Sequence, residues 1–349
     1  MCCQALGAVC DEKKFLDRSR HRAKLGGGVE QSDALRLVTK VARLYHARGL
    51  RQMEIAERLR LSQPRVSRLL AHAEELGIVR NIVAVPVELN RELEEALRAA
   101  YGLTGTHVVD SVADDDEGLT LDLGYAAAPF FTAALAGGTR TIGFTSWSRT
   151  LRHMVEAVRA PQAVSEYVVE MLGDIGAPTL QQDVAHLTQR LATLTGAQPA
   201  FLRLPGVVSA PAIRAALLQQ DPHAREALRL LDGLDMALLG IGPCEVVGPL
   251  QPGDNYFTQE QFDEAARAGA VGQICARFLD ADGAPVRTAL DELVVGVTLD
   301  QIRAAGSRWA VAGGKDKYPI LRAALIGGWI DHLVTDAATA AHLLEVRRQ

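Results

Sequence analysis

The sequence predicts an α/β domain built on a mostly parallel sheet, preceded by a small basic module of short helices. Three observations carry that expectation. At 349 residues and 37.5 kDa the chain is too long for one small module and suits two domains. Charge is uneven: residues 33–80 hold ten Arg or Lys against five Asp or Glu, residues 1–32 hold six against four, and the overall −5 leaves −12 for residues 81–349. Apolar spacing also changes, from a helical period in the first third to short apolar runs alternating with helical stretches after residue 100. With 48% hydrophobic and 23% charged residues, a disordered or collagen-like chain is excluded. The longest weakly polar run, residues 125–138, is broken by Pro129 and falls short of the ~20 apolar residues of a membrane span.

Residues 1–32 show no stable apolar period and read as a flexible leader. They have no basic lead before the apolar stretch, and Asp11 and Glu12 follow it directly, so a secretory signal is not expected and the cytoplasm is. From Leu35 the order is helical: Val38, Val41, Ala42 and Tyr45 share one face, and Gly49 supplies the stop. A second short helix over residues 52–59 buries Ile55, Ala56 and Leu59. Ser62 is placed to cap a third helix, with Pro64 in its first turn, where a missing N–H costs nothing. That helix turns Val66, Leu69, Leu70 and Ala73 inward and leaves Arg65, Arg68 and His72 on the opposite face. Gly77 ends it, and residues 78–85 are β-rich, as a short wing would be.

Two helices, a tight turn and a third helix with a cationic face make a winged helix-turn-helix domain over residues 33–86, whose last helix would enter a major groove. Arg pairs bidentately with guanine and Gln with adenine, so Gln63, Arg65 and Arg68 suit base edges, while Arg51, Gln52, Ser62 and Ser67 complete the candidate DNA-contacting set. An ordinary three-helix packing unit with solvated arginines is the alternative. The segment L-R-Q-M-E-I-A-E-R-L-R-L-S-Q-P-R-V-S-R-L-L-A-H-A-E-E-L-G-I-V resembles the N-terminal domain of the SorC family of bacterial transcriptional regulators, grouped with DeoR-type sugar-responsive regulators. Its usual turn reads S-R-P-x-V-S-R-L-L; here Gln63 replaces the Arg and Arg65 follows the Pro.

Leu89, Leu93 and Leu97 with Glu92 and Glu95 form an amphipathic connector, either a pairing helix or a surface helix of the next domain. Beyond it, strands are expected at 106–109, 139–144, 167–172, 236–241, 293–297, 310–312 and 333–335, with helices between them. Parallel sheets of this kind bind ligands beyond the carboxyl ends of their strands. The loop after residue 144 holds Thr145, Ser146, Trp147, Ser148, Arg149 and Thr150 ahead of a helix, where hydroxyls, backbone amides and the helix dipole all favour an anion. G-I-G-P follows residue 239, and A-G-G-K-D-K follows residue 311. The chain has six lysines, and Lys315 and Lys317 are the two beyond residue 40, so a compact ammonium is placed where glycines admit a ligand.

The resemblance continues through T-I-G-F-T-S-W-S-R-T-L, V-V-E-M-L-G-D-I-G, A-L-L-G-I-G-P, G-A-V-G-Q-I-C-A-R-F-L-D and V-A-G-G-K-D-K-Y-P-I-L-R-A-A-L-I-G-G-W-I-D-H-L-V-T-D. It implies an effector and oligomerisation domain over residues 87–349, similar to glucosamine-6-phosphate deaminase and ribose-5-phosphate isomerase, with a sugar, polyol or sugar-phosphate effector. It places residues 145–150 and Lys317 at the phosphate end, Asn255 and Gln273 near sugar hydroxyls, and Gly173, Gly242, Gly313 and Gly314 in the pocket loops. The family usually carries Asp or Glu where Gln273 stands.

An isomerase or deaminase would need a poised acid–base pair. Asp254, Asp280, His153 and His186 form no recognisable constellation, so no catalytic residue, metal site or cofactor is expected. Cys2, Cys3, Cys10, Cys244 and Cys275 lack metal-ligand spacing. The resulting expectation is a DNA-binding regulator of a carbohydrate or polyol operon, with operator DNA and a small effector as partners and a homodimeric or homotetrameric assembly. A sugar-phosphate enzyme with an accessory DNA-binding domain is the alternative.

Overall fold

The computed structural model describes residues 28–76, 78–79, 89–113, 115–159, 165–246 and 255–348. It divides into two units, residues up to 83 and residues from 84 onward.

In the first unit, α1 (Gly28–Ala42) runs into a π-helical turn at Arg43–Ala47, followed by α2 (Gln52–Leu59) and α3 (Gln63–Glu75). The helical period does what the spacing requires: Val41, Leu44, Ile55, Val66 and Leu70 close one small core, and Val38, Ala42 and Ala73 a second patch beside it. Gly49, at φ 66°, stops the first helix as expected. The turn between α2 and α3 uses a less obvious residue, Arg60, in the left-handed conformation at φ 53°. The N–H of Leu61 then donates back to Ala56 O at 2.8 Å, which reverses the chain within a few residues. Ser62 sits at the cap position with extended backbone, but its hydroxyl makes no capping bond. The expected side-chain cap is therefore absent, and Ser62 O instead accepts from the N–H groups of Arg65 and Val66. Most of the expected wing lies outside the described residues.

The second unit opens with α4 (Arg91–Tyr101), the connector. Leu97 is fully buried, and Glu94 turns inward: its Oε1 accepts the Val108 N–H at 2.9 Å and lies 3.0 Å from His107 Nδ1. The helix packs on the sheet edge and on the C-terminal helix, so it belongs to this unit, while Leu89 before it stays exposed. There follow β1 (Gly105–Val109), α5 (Asp116–Leu135), β2 (Thr141–Phe144), α6 (Arg149–Ala157), β3 (Tyr167–Glu170), α7 (Pro178–Thr195), β4 (Gln198–Ala200), α8 (Pro211–Gln220) and α9 (Pro222–Leu230). Next come β5 (Met236–Leu239), β6 (Ile241–Gly242), α10 (Gln259–Arg267), β7 (Gly272–Ile274), β8 (Arg277–Leu279), α11 (Leu299–Ala304), β9 (Arg308–Val311), α12 (Tyr318–Ile326), β10 (His332–Asp336) and α13 (Ala337–Arg348).

Seven strands form one sheet in the order β1-β10-β9-β5-β2-β3-β4, every neighbouring pair parallel. Both faces are covered. Ile142, Phe144, Met236, Leu238 and Val311 point into the layer with α5, α6 and α7, whereas Ala237, Leu239, Ala310 and Leu333 point into the opposite layer. Burial on two faces explains why the strands read as continuous apolar runs rather than alternating ones. One expected strand is corrected: residues 294–297 are extended but join no sheet, because they make only isolated bridges, Leu172 to Gly296 and Val207 to Val294. The short strands β6, β7 and β8 form a separate antiparallel sheet.

The chain leaves β2 toward β3 and β4, then returns through β5 on the other side of β2. Their carboxyl ends are thus a topological switch point, where a crevice opens between diverging connections. Gly240, just past β5, lets the two ends meet: a Cβ there would lie 2.4 Å from Thr145 Cγ2, and the Gly240 N–H instead donates to Thr145 Oγ1 at 3.0 Å.

Candidate functional site

A cavity of ≈ 170 Å³ occupies that switch point. By the same measure it has room for on the order of ten waters, enough for a molecule of monosaccharide size. Its walls come from the loop after β2, from Gly240 to Pro243, from the β7–β8 hairpin, from Leu180 and Val184 on α7, and from Lys317.

The loop after β2 is fastened from inside. Thr145 is buried, its N–H donates to Leu238 O, and its hydroxyl lies 3.3 Å from the Cys275 thiol. Ser148 caps α6 by accepting the Leu151 N–H at 3.3 Å. The remaining first-turn amides of α6 have no intrahelical acceptor and present positive potential to the cavity. Trp147 is half-buried and donates its indole N–H to Gly173 O at 3.2 Å, so it is held as wall rather than left as a surface side chain.

Three charges gather at one side. Arg149 and Lys317 both line the cavity, and Arg149 is paired with Asp116 at the start of α5. Burial lowers the Lys317 pKa, with Arg149 pushing the same way and Asp116 and Asp316 partly opposing it. On the wall itself Arg149, Arg152 and Lys317 stand against one carboxylate, Glu245. The wall is suited to a small anion.

Neutral polar groups occupy another part of the wall. Gln273 accepts the Ala276 N–H at 2.6 Å through Oε1 and donates through Nε2 to Tyr256 Oη at 3.0 Å. Cys275 and Ala276 form the two-residue turn of the β7–β8 hairpin with φ 49° and 62°, positions normally given to Asn or Gly. The turn puts the Cys275 side chain against the cavity. Burial raises the pKa of both Cys275 and Tyr256, which keeps thiol and phenol protonated.

Of the residues expected at the effector, Thr145, Trp147, Ser148, Arg149, Thr150, Gly242, Gln273 and Lys317 line this cavity. Five expected residues lie off its wall, each for a physical reason. Asn255 spends its amide on the chain itself, accepting from Gly176 N at 2.9 Å and donating to Gly176 O at 3.1 Å. Gly173 packs so closely that a Cβ would lie 2.4 Å from Leu204 O. Gly313 faces Asp336, and the Gly314 N–H donates to Asp336 Oδ2 and Thr339 Oγ1, which anchors the lysine loop. Ser146, in the loop after β2, is buried. Asp254 lies outside the described residues.

Sequence reasoning missed Thr120, Tyr256, Cys275 and the apolar wall from α7. It also missed Asp116, which meets Arg149 only after a full crossover and carries no local signal. Among the described residues no cluster of three or more His, Cys, Asp or Glu side chains could hold a metal ion, and no helix is long and apolar enough to cross a membrane.

In the first unit, Arg51, Ser62, Gln63, Arg65, Ser67 and Arg68 are all exposed, and Gln52 is partly so. Gln63 Nε2 donates to Gln52 Oε1 at 2.8 Å, joining α3 to α2 across the turn. Arg68 Nε lies 3.4 Å from Pro64 O, a weak tether. Arg65 and Arg68 therefore project from a helix whose inner face is already committed to the core.

A parallel α/β sheet with a monosaccharide-sized, anion-suited cavity at its switch point, following a small basic helical unit, defines a sensor domain joined to a regulator module. Residues 85–345 match the family described as "Putative sugar-binding domain". The chain is 31% identical to the sorbitol operon regulator of Klebsiella pneumoniae over 91% of its own length and 100% of that protein. It is likewise 31% identical to the deoxyribonucleoside regulator of Bacillus subtilis, over 88% of this chain and 97% of that one. The full-length crystal structure of the Klebsiella sorbitol operon regulator SorC superposes with a TM-score of 0.66 at 30% identity, covering 89% of this chain and 98% of that one. The chain belongs to this sugar-binding-domain family of SorC-type transcriptional regulators, and it is a sugar-responsive regulator of transcription.

Proposed function

We propose that the protein is a cytoplasmic repressor or activator of a carbohydrate or polyol operon, whose effector is a phosphorylated sugar or polyol bound at the β2–β5 switch point. One observation carries the effector class: Lys317, Arg149 and the α6 N-terminus meet at a cavity whose wall sets three cations, Arg149, Arg152 and Lys317, against the single carboxylate of Glu245, with neutral groups such as Gln273 and Tyr256 elsewhere on it. A phosphate dianion meets the charged side, and hydroxyls meet the neutral one. Support also comes from the relatives, which are regulators named for sorbitol and for deoxyribonucleosides.

The N-terminal unit acts as a winged helix-turn-helix reader, with α3 in the major groove, Gln63, Arg65 and Arg68 at base edges, and Arg51, Gln52, Ser62 and Ser67 at the backbone. The protein works as a homodimer or homotetramer and not as an enzyme. In support, the described wall carries one carboxylate, Glu245, and no imidazole, and the relatives are named as regulators. Calorimetry with a panel of sugars, polyols and their terminal phosphates tests the effector class. A phosphate ester should bind more tightly than its parent alcohol, and a free polyol that outbinds every phosphate would remove the phosphate assignment. Turnover of a sugar phosphate at ordinary enzyme rates would remove the sensor reading.

A further inference from the structure

Gln273 stands where a carboxylate would be the simplest acceptor for ligand hydroxyls, yet its amide is committed to the protein. The Ala276 N–H is a donor and nothing else, so the atom it meets at 2.6 Å must be Oε1. That fixes the amide's orientation by chemistry and turns Nε2, which only donates, toward Tyr256 Oη at 3.0 Å. Tyr256 is therefore the acceptor in this bond. Its own phenol hydrogen finds no acceptor among the described residues.

The ring itself is immobilised. Tyr256 is 8% exposed and packs edge-on against Phe262 with centroids 5.8 Å apart, beside Phe257. It nevertheless lines the cavity. A buried hydroxyl that already accepts one bond, and whose hydrogen meets no acceptor among the described residues, gains a full hydrogen bond from any acceptor that enters.

We infer that Tyr256 is a specificity-determining residue of the effector cavity: it donates its phenol hydrogen to an acceptor oxygen of the ligand, and Gln273 is the positioning residue that keeps that hydrogen available. The inference rests on the sugar-phosphate reading and names what the neutral side of the cavity selects. The preferred ligand presents a ring, carbonyl or hydroxyl oxygen as acceptor there. An ionised carboxylate at position 273 would take the Tyr256 proton for itself and reverse the selection, so that Tyr256 would accept from ligand hydroxyls instead. The Gln at 273 thus does more than remove a charge: it sets the direction of a hydrogen bond one residue away.

Two measurements test this, one of them free of ligand. In ultraviolet Raman spectra, the tyrosine doublet of Tyr256, obtained as wild type minus Tyr256→Phe, should report an accepting, non-donating phenol, and Gln273→Leu should abolish the accepting signature. A donating phenol in wild type, or a doublet indifferent to Gln273→Leu, would overturn the proposal. In calorimetry with the terminal phosphates of ribose, ribitol, glucose and glucitol, Tyr256→Phe should weaken the tightest of the four by roughly five- to tenfold. Gln273→Leu should weaken it too, and the double variant should lose no more than Tyr256→Phe alone, because Gln273 acts through Tyr256. Full affinity in Tyr256→Phe, or additive losses in the double variant, would contradict the assignment. If wild type binds none of the four, the sugar-phosphate reading fails, while the Raman arm still decides whether Tyr256 presents its proton.

Discussion

The two units handle positive charge in opposite ways. On α3 the guanidinium groups of Arg65 and Arg68 stand on an exposed helix face, where Arg68 has a weak tether to Pro64 O. At the cavity, Arg149 is already paired with Asp116, and Lys317 feels both of those charges together with the cost of burial. Exposed charge in high dielectric is cheap to maintain and strongly salt-dependent, as suits a polyanion met over a broad surface. Partly buried, pre-balanced charge costs more to maintain but discriminates between small ligands by one or two units of charge. The difference teaches that net charge alone, +5 in one segment and −12 in the other, describes the DNA-facing unit well and the sensor poorly. The acidic unit still hides a cationic site.

The largest expected effect breaks the sensor side. Lys317→Met should reduce affinity for a phosphorylated effector by about tenfold to a hundredfold, the range of one charge-assisted hydrogen bond of roughly 1.5–3 kcal/mol, and a free sugar should lose much less. The same lysine sets a pH dependence with a definite sign. Its lowered pKa means that it discharges at a lower pH than an ordinary lysine, so affinity for the dianion should fall as pH rises through that lowered value. Stability of the ligand-free protein should move the other way. Between the lowered and the ordinary lysine pKa the unfolded chain holds the proton more firmly, so folding becomes more favourable with rising pH. Lys317→Met should remove both alkaline limbs, which calorimetry and denaturant titration across pH would check.

On the DNA side, Arg65→Ala or Arg68→Ala should each cost about 1–3 kcal/mol of operator affinity and relax specificity at one base pair. Unchanged gel-shift affinity in both variants would mean that α3 is not the reader. Arg51→Ala should produce a smaller, sequence-independent loss and a shallower salt slope. The smallest effect sharpens the contrast: Asp116→Asn should tighten a phosphorylated effector by about two- to fivefold, since the carboxylate competes for Arg149 but sits half-exposed, where ion pairs are weak. Looser binding in Asp116→Asn would show that the carboxylate orients Arg149 rather than competes for it.

Much of this was legible in the sequence because buried parallel strands announce themselves. Residues 236–239 are apolar on both faces, and so, but for Thr335, are 142–144 and 333–335, which placed the sheet and hence the strand ends to inspect. Residues 293–297 carry the same apolar signature for a different reason: they are buried in the layer below the sheet and bridge only to Leu172 and Val207. Composition reports burial, and burial is not pairing. On the cavity wall, the hydroxyl loop and Lys317 were legible because they follow strand carboxyl ends, where parallel sheets open crevices. Asn255 lies off that wall, since its amide is spent on Gly176, a bond that no local sequence feature announces. Asp116 and Tyr256 gave no signal at all, their roles arising from ion-pair and hydrogen-bond partners 33 and 17 residues away.

A phosphorylated small molecule in the sensor cavity should change how the protein holds DNA. The direct measurement is fluorescence anisotropy of the DNA upstream of its own gene, titrated with the full chain with and without a saturating sugar phosphate that calorimetry has shown to bind. Coupling between sites of this kind typically amounts to 1–3 kcal/mol, so the operator dissociation constant should shift by about five- to 150-fold, in one direction, and should lose that shift in Lys317→Met. An operator affinity that stays the same with the cavity saturated, or a shift that survives intact in Lys317→Met, would contradict the account.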